Sequence, residues 1–320
     1  MLKTKKLILK AAAFLAVCLA FYVPVSAEEK EYRIVTTIFP EYDWVMNILG
    51  DRTEDIEVTW LMDSGVDLHS FNPGMDDIVT VSDCDLFIYV GGESDFWAED
   101  MIARPQNPDQ RAVSLMEILE DYVKEEEHVE GMQERPSDEE ETEYDEHVWL
   151  SLRNAQIICR SLAEILGEMD ESHKEEYLKN AEEYIEELRE MDESFSPVFN
   201  DPKHDTLVFG DRFPFRYLFD DYGLKYYAAF NGCSAETEAS FDTIIFLAEK
   251  LDELGLDTIL KMEKDDARIC ETVIECTASK DQKILTLDSM QAVTAKDYKE
   301  GESYASVMKK NLEVLAEAVS

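Results

Sequence analysis

At 320 residues, 45% of them hydrophobic, the chain is long enough for two ordinary domains with real cores, which excludes a disordered protein. Its 72 acidic residues against 30 basic ones leave a formal charge of -42. That balance argues against nucleic-acid binding through phosphates and for attraction of cations.

The first 27 residues differ from the rest. Lys3, Lys5, Lys6 and Lys10 precede an apolar run from Ala11 to Val23, and Val25-Ser26-Ala27 offers a small-residue cleavage site. This reads as a secretory signal peptide over 1–27. The alternative is a lipid anchor on Cys18, after Leu15-Ala16-Val17, although Val17 is bulky for that position. Beyond it lie Cys84, Cys159, Cys233, Cys270 and Cys276, with no CxxC pair. An exported chain can form one or two disulfides from them, and spacing does not give the pairing. Cys84, Cys159 and Cys270 sit in apolar or helical patterns and read as small core residues.

Tyr32–Thr37 predicts a first strand, ending at Phe39-Pro40. A helix over Asp43–Leu49 follows, with Gly50 as its stop. Ile56–Leu61 is a second strand that leads into Asp67-Leu68-His69-Ser70-Phe71. Asp76–Ser82 is a short helix, Leu86–Val90 a continuous apolar strand, and Phe96–Ala103 a helix. The stretch 120–146 carries the blocks Glu125-Glu126-Glu127 and Asp138-Glu139-Glu140-Glu141 and predicts a mobile acidic loop. It ends at Tyr144-Asp145-Glu146-His147-Val148-Trp149-Leu150.

The chain has only 5 histidines: His69, His128, His147, His173 and His204. His69 and His147 share one form, with an acid two residues before the ring and an aromatic residue two after it. Imidazole is the commonest ligand for a borderline dication, and the acids beside it favour one.

Asn154–Gly167 predicts an amphipathic helix. A longer one over Lys174–Phe195, stopped by Pro197, predicts a stiff connector between two halves. The α/β alternation then resumes: strands at Thr206–Phe209, Lys225–Phe230, Thr258–Met262 and Lys283–Leu287, and helices at Phe215–Asp221, Phe241–Leu254, Ala267–Thr277 and Tyr304–Val319. Asp211, Glu263 and Asp288 follow strands, where ligands gather in parallel sheets and where acids also serve as caps and turn formers.

Taken together, these pieces resemble the zinc/manganese solute-binding proteins of ABC importers. The residues that carry the likeness are Val35–Pro40, Gly65–Phe71, Asp83–Tyr89, His147–Leu150, Tyr222-Gly223-Leu224 and Leu285–Asp288. The resemblance implies two similar α/β lobes with parallel sheets, an N-terminal lobe over 28–172 and a C-terminal lobe over 198–320. One long rigid helix over 173–197 would join them, with the metal in the cleft between. By motif, His69 and His147 match the family's N-lobe histidines and Asp288 its C-lobe aspartate. Arg212 falls where another ligand belongs, and an arginine cannot bind a cation. Asp211 is the expected substitute, with Glu263 and Glu236 as further donors.

The resemblance further implies an exported monomer at the outer face of the membrane. It would capture Zn2+, or alternatively Mn2+, and deliver it to a membrane permease without catalysis. The rival readings are a zinc-dependent hydrolase, for which no HExxH or GxSxG stands in the sequence, and an adhesin that uses the acidic face.

Overall fold

A computed structural model describes residues 31–133, 143–234 and 238–320. The expected leader over 1–27, with Cys18, lies outside the described residues, as do the centre of the acidic loop and Glu236. Tyr32–Ser320 forms one compact unit.

The first lobe runs β1 (Tyr32–Thr36), α1 (Phe39–Leu49), β2 (Ile56–Trp60), α2 (Met75–Asp83), β3 (Leu86–Tyr89), α3 (Phe96–Ile102), β4 (Arg111–Ser114) and α4 (Leu115–Leu119). Two long helices follow, α5 (Leu152–Met169) and α6 (Lys174–Phe199). The second lobe is β5 (Thr206–Phe213), α7 (Arg216–Tyr222), β6 (Lys225–Asn231), α8 (Phe241–Leu254), β7 (Thr258–Met262), α9 (Arg268–Cys276), β8 (Lys283–Leu287), α10 (Ala295–Lys299) and α11 (Tyr304–Ala318). The sheets are ordered β2-β1-β3-β4 and β6-β5-β7-β8. Every pairing is parallel. The predicted α/β architecture of two parallel-sheet lobes therefore stands.

Four differences have local causes. Helix α1 starts at Phe39 rather than Asp43, because Pro40 occupies the first turn, where its missing N–H costs nothing. Helix α6 runs through Pro197 to Phe199, 26 residues or about 39 Å at ~1.5 Å per residue. Burial of Phe199 against the Tyr222 ring, 4.6 Å between centroids, holds that last turn. Strand β4 and the five-residue helices α4 and α10 have no counterpart in the sequence reading; β4 is a four-residue edge strand whose Arg111 is exposed. Hydrogen bonds and burial tie the described part of the acidic stretch to its surroundings. Glu126 N–H donates to Glu143 O (2.8 Å), Gln133 N–H to Ala229 O (3.0 Å), and Met132 is buried.

Helix α6 turns Tyr177, Ala181, Tyr184, Ile185 and Leu188 inward onto α5, α1 and α11. The Asp43 carboxylate accepts from Tyr184 Oη (3.2 Å) and Tyr304 N–H (3.3 Å), which ties α1, α6 and α11 together. Trp149 Nε1 donates to Ser289 O in the second lobe (2.9 Å), and Tyr304 Oη donates back to Trp149 O (2.8 Å). One apolar core consequently spans both lobes. Relative motion of the lobes would break that packing. All five described cysteines are free, and Cys84, Cys159 and Cys270 are buried as expected.

Candidate metal centre

His69 lies in a short turn after β2. The Asp67 carboxylate caps that turn by accepting the His69 N–H (2.9 Å). His147 is fully buried at the entry of the Val148–Leu150 turn. Asp145 Oδ1 accepts from both its N–H and its Nδ1, each at 2.9 Å. A carboxylate only accepts, so Nδ1 carries a proton and the Nε2 lone pair of the neutral ring is free to ligate. His69 Nδ1 is held at 2.7 Å from Ser94 Oγ and 3.7 Å from Glu146 Oε2. Glu146 Oε1 in turn accepts the Ser94 N–H (2.9 Å). Gly92 makes room for this carboxylate: a Cβ there would lie 2.6 Å from Glu146 Oε1.

With both Nδ1 atoms engaged, the two Nε2 atoms face each other at 3.1 Å. Two ligands of a tetrahedral zinc, each at ~2.0–2.1 Å, stand roughly 3.3 Å apart. The observed spacing is close to that figure. Burial alone would make the His147 ring less basic, but Asp145, with Glu126 and Glu146 behind it, raises its pKa above the ordinary value. Such partners orient the ring and increase its donor strength.

The described acids expected as further donors all hold hydrogen bonds in this structure. Asp211 Oδ1 accepts the Arg212 N–H (2.7 Å) and Oδ2 the Met262 N–H (3.0 Å), so both oxygens hold backbone. Glu263 accepts from Ser289 N–H and Oγ (3.0 and 2.8 Å). Asp288 accepts the Met290 N–H (2.7 Å), and burial together with the Glu263 charge pushes its pKa up to about 7. Arg212 reaches across the lobes to Asp67 Oδ2 (2.8 Å). Burial would raise the Asp67 pKa, yet the Arg212 charge holds it below the usual carboxylate value. Among the described residues, the group whose ligand atoms all lie within 4.8 Å of one another is His69, His147 and Cys233. Cys233 sits two residues past the end of β6, the strand-end position that also yields Glu263 and Asp288. A cysteine after a strand and a glycine was the one signal available in the sequence for it.

Behind the centre lie buried carboxyl groups. Asp95 accepts the Gly91 N–H (3.0 Å), and burial raises its pKa to about 7, with the Glu146 charge adding to the effect. The folded chain thus binds a proton more tightly at Asp95 than the unfolded chain, whose carboxyl titrates near 3.8. The native state holds the extra proton between these values, so Asp95 makes stability fall as pH rises from about 4 to about 7. Asp95→Asn removes that slope. Thermal midpoints of the metal-free protein will be higher for the variant than for the parent near pH 8, and the gap will close near pH 4. A gap independent of pH would contradict this assignment.

The sequence profile of the family described as zinc-uptake complex component A, periplasmic, matches residues 34–318. The zinc-binding protein AdcA of Streptococcus pyogenes is 26% identical over 325 residues, covering 97% of this chain and 61% of AdcA. The chain thus spans less than two thirds of that relative. The manganese ABC transporter substrate-binding lipoprotein PsaA of Streptococcus anginosus is 27% identical over 298 residues, covering 91% of this chain and 90% of PsaA. Among solved structures, a Zn(II)-bound AdcAII variant of Streptococcus pneumoniae superposes with a TM-score of 0.73 at 26% identity, covering 91% of this chain and 99% of the other. The profile takes in both lobes and the two histidine turns that face each other between β2 and α5, and the chain belongs to the periplasmic zinc-uptake component A family.

Proposed function

We propose that this chain is the extracytoplasmic receptor of a metal ABC importer, which captures Zn2+ and passes it to a membrane permease. The observation that carries this reading is the His69–His147 pair, with Nε2 atoms 3.1 Å apart and each Nδ1 held from behind. The relatives named as zinc-binding proteins support it, as does the family description as a periplasmic uptake component. An exported protein fits the leader expected over 1–27, and a relative named as a zinc-binding lipoprotein fits an anchor at Cys18. We read the protein as a monomeric carrier rather than a hydrolase. Asp145, the carboxylate against the His147 ring, is spent on that ring's Nδ1. A hydrolase would need such a group free to activate water.

Calorimetric titration of the metal-stripped protein with zinc and, separately, manganese tests the reading. One tight zinc site with much weaker manganese binding is expected. Manganese favours oxygen donors, so a manganese preference would shift the site to Glu263 and Asp288. The absence of a tight site for either metal would overturn the receptor function.

A further inference from the structure

We propose that Cys233 supplies the third protein ligand, which makes the centre a His2Cys site selective for zinc over manganese. The inference rests on the zinc-receptor reading and goes beyond it, since neither the motifs nor the relatives' names assign this residue. The turn that bears Cys233 is braced on both sides. Gly232 N–H donates to Glu126 Oε1 (3.0 Å), a carboxylate delivered by the acidic stretch before His147. Ser234 N–H donates to Asn231 O, and Ser234 O accepts from an Arg212 guanidinium nitrogen, both at 3.3 Å. The other arm of Arg212 holds Asp67, whose second oxygen caps the His69 turn. Arg212 does not ligate; it ties the His69 turn of one lobe to the Cys233 turn of the other.

Gly232 lets these turns close. A Cβ at that position would meet His147 Cε1 and Phe213 O, each at 3.0 Å. The missing side chain at 232 lets the turn sit against the His147 ring, and the Cys233 sulfur stands within 4.8 Å of a ring nitrogen of each imidazole. A zinc ion binds thiolate sulfur at ~2.3 Å and takes the thiol proton off on binding. Of the acids expected to complete the site, Asp211 and Glu263 are occupied by backbone N–H groups and the Ser289 hydroxyl, and Asp288 accepts the Met290 N–H. Two imidazoles and a thiolate are a soft set that suits zinc and disfavours manganese.

The test is alkylation of the wild-type protein with a maleimide, with zinc, with manganese and without metal, read by peptide mapping. Exposed Cys276 is the internal reference, and Cys84, Cys159 and Cys270 are buried. Zinc at full occupancy, fixed by calorimetry on the same sample, is expected to protect Cys233 while Cys276 reacts at an unchanged rate. Manganese at the same concentration is expected to give no protection. Cys233→Ser is expected to weaken zinc binding by more than the ~10–100-fold that loss of an outer partner costs. Cobalt-loaded wild type is expected to show a sulfur-to-cobalt charge-transfer band that the variant lacks. Cys233 that labels equally fast in the zinc-saturated protein would overturn the inference and leave the receptor reading intact. Failure of the wild type to take up zinc would overturn both.

Discussion

Replacing His147 by Ala will abolish tight zinc binding, with a dissociation constant raised by at least two orders of magnitude. The ring is fully buried, supplies one of the two facing Nε2 atoms, and places its Nδ1 on the Asp145 carboxylate. Its loss removes a metal bond and leaves an acceptor-only carboxylate without its ring donor. A second readout follows from linkage. A ligand at 100 times its dissociation constant stabilises the folded state by ~2.7 kcal/mol, and that zinc-dependent rise in melting temperature will vanish in His147→Ala. The control is Asp211→Asn. Its carboxylate receives two backbone N–H bonds and stands outside the histidine group, so zinc affinity will change only a few-fold while stability drops. Isothermal titration of both variants checks the pair. An Asp211 variant that loses zinc while the His147 variant keeps it would reverse the assignment.

Trp149→Ala will be the most destabilising single change away from the ligands. The side chain is fully buried, its ring lies 5.2 Å from that of His147, and its Nε1 donates to Ser289 O across the lobes. Truncating a buried Trp costs ~3–5 kcal/mol, and the orphaned Ser289 carbonyl adds ~1–3 kcal/mol. Set against total stabilities of ~5–15 kcal/mol, the variant will lose a large share of its stability. Trp149→Phe keeps most of the volume and loses the hydrogen bond, so its cost will be confined to the smaller figure. Denaturant unfolding of the two variants separates the contributions. Equal midpoints for Trp149→Ala and the parent would show that the lobes do not share their core through this residue.

Much of the scaffold was legible because its signals are local. Apolar runs such as Leu86–Tyr89 and the inward stripe of α6 are written in consecutive residues. His69 and His147 were legible because two similar turns recur in a chain with few histidines. What escaped depends on contacts distant in sequence. Cys233 meets His147 only through the Glu126–Gly232 bond, 106 residues apart, and the Arg212 brace to Asp67, 145 residues apart. No spacing rule encodes either. The contacts of the acidic stretch were not legible for a related reason. Composition shows that Glu126, Asp145 and Glu146 carry charge, but not that they turn inward to hold N–H groups and a ring nitrogen. Arg212 reads as a lost ligand in sequence and as an interlobe clamp in space.

Anomalous diffraction at the zinc edge, on crystals of the zinc-loaded protein, tests the central claim most directly. The account predicts one strong peak at ~2.0–2.1 Å from Nε2 of both His69 and His147. A peak among the carboxylates of Asp211, Glu263 and Asp288, with the two imidazoles unliganded, would contradict it.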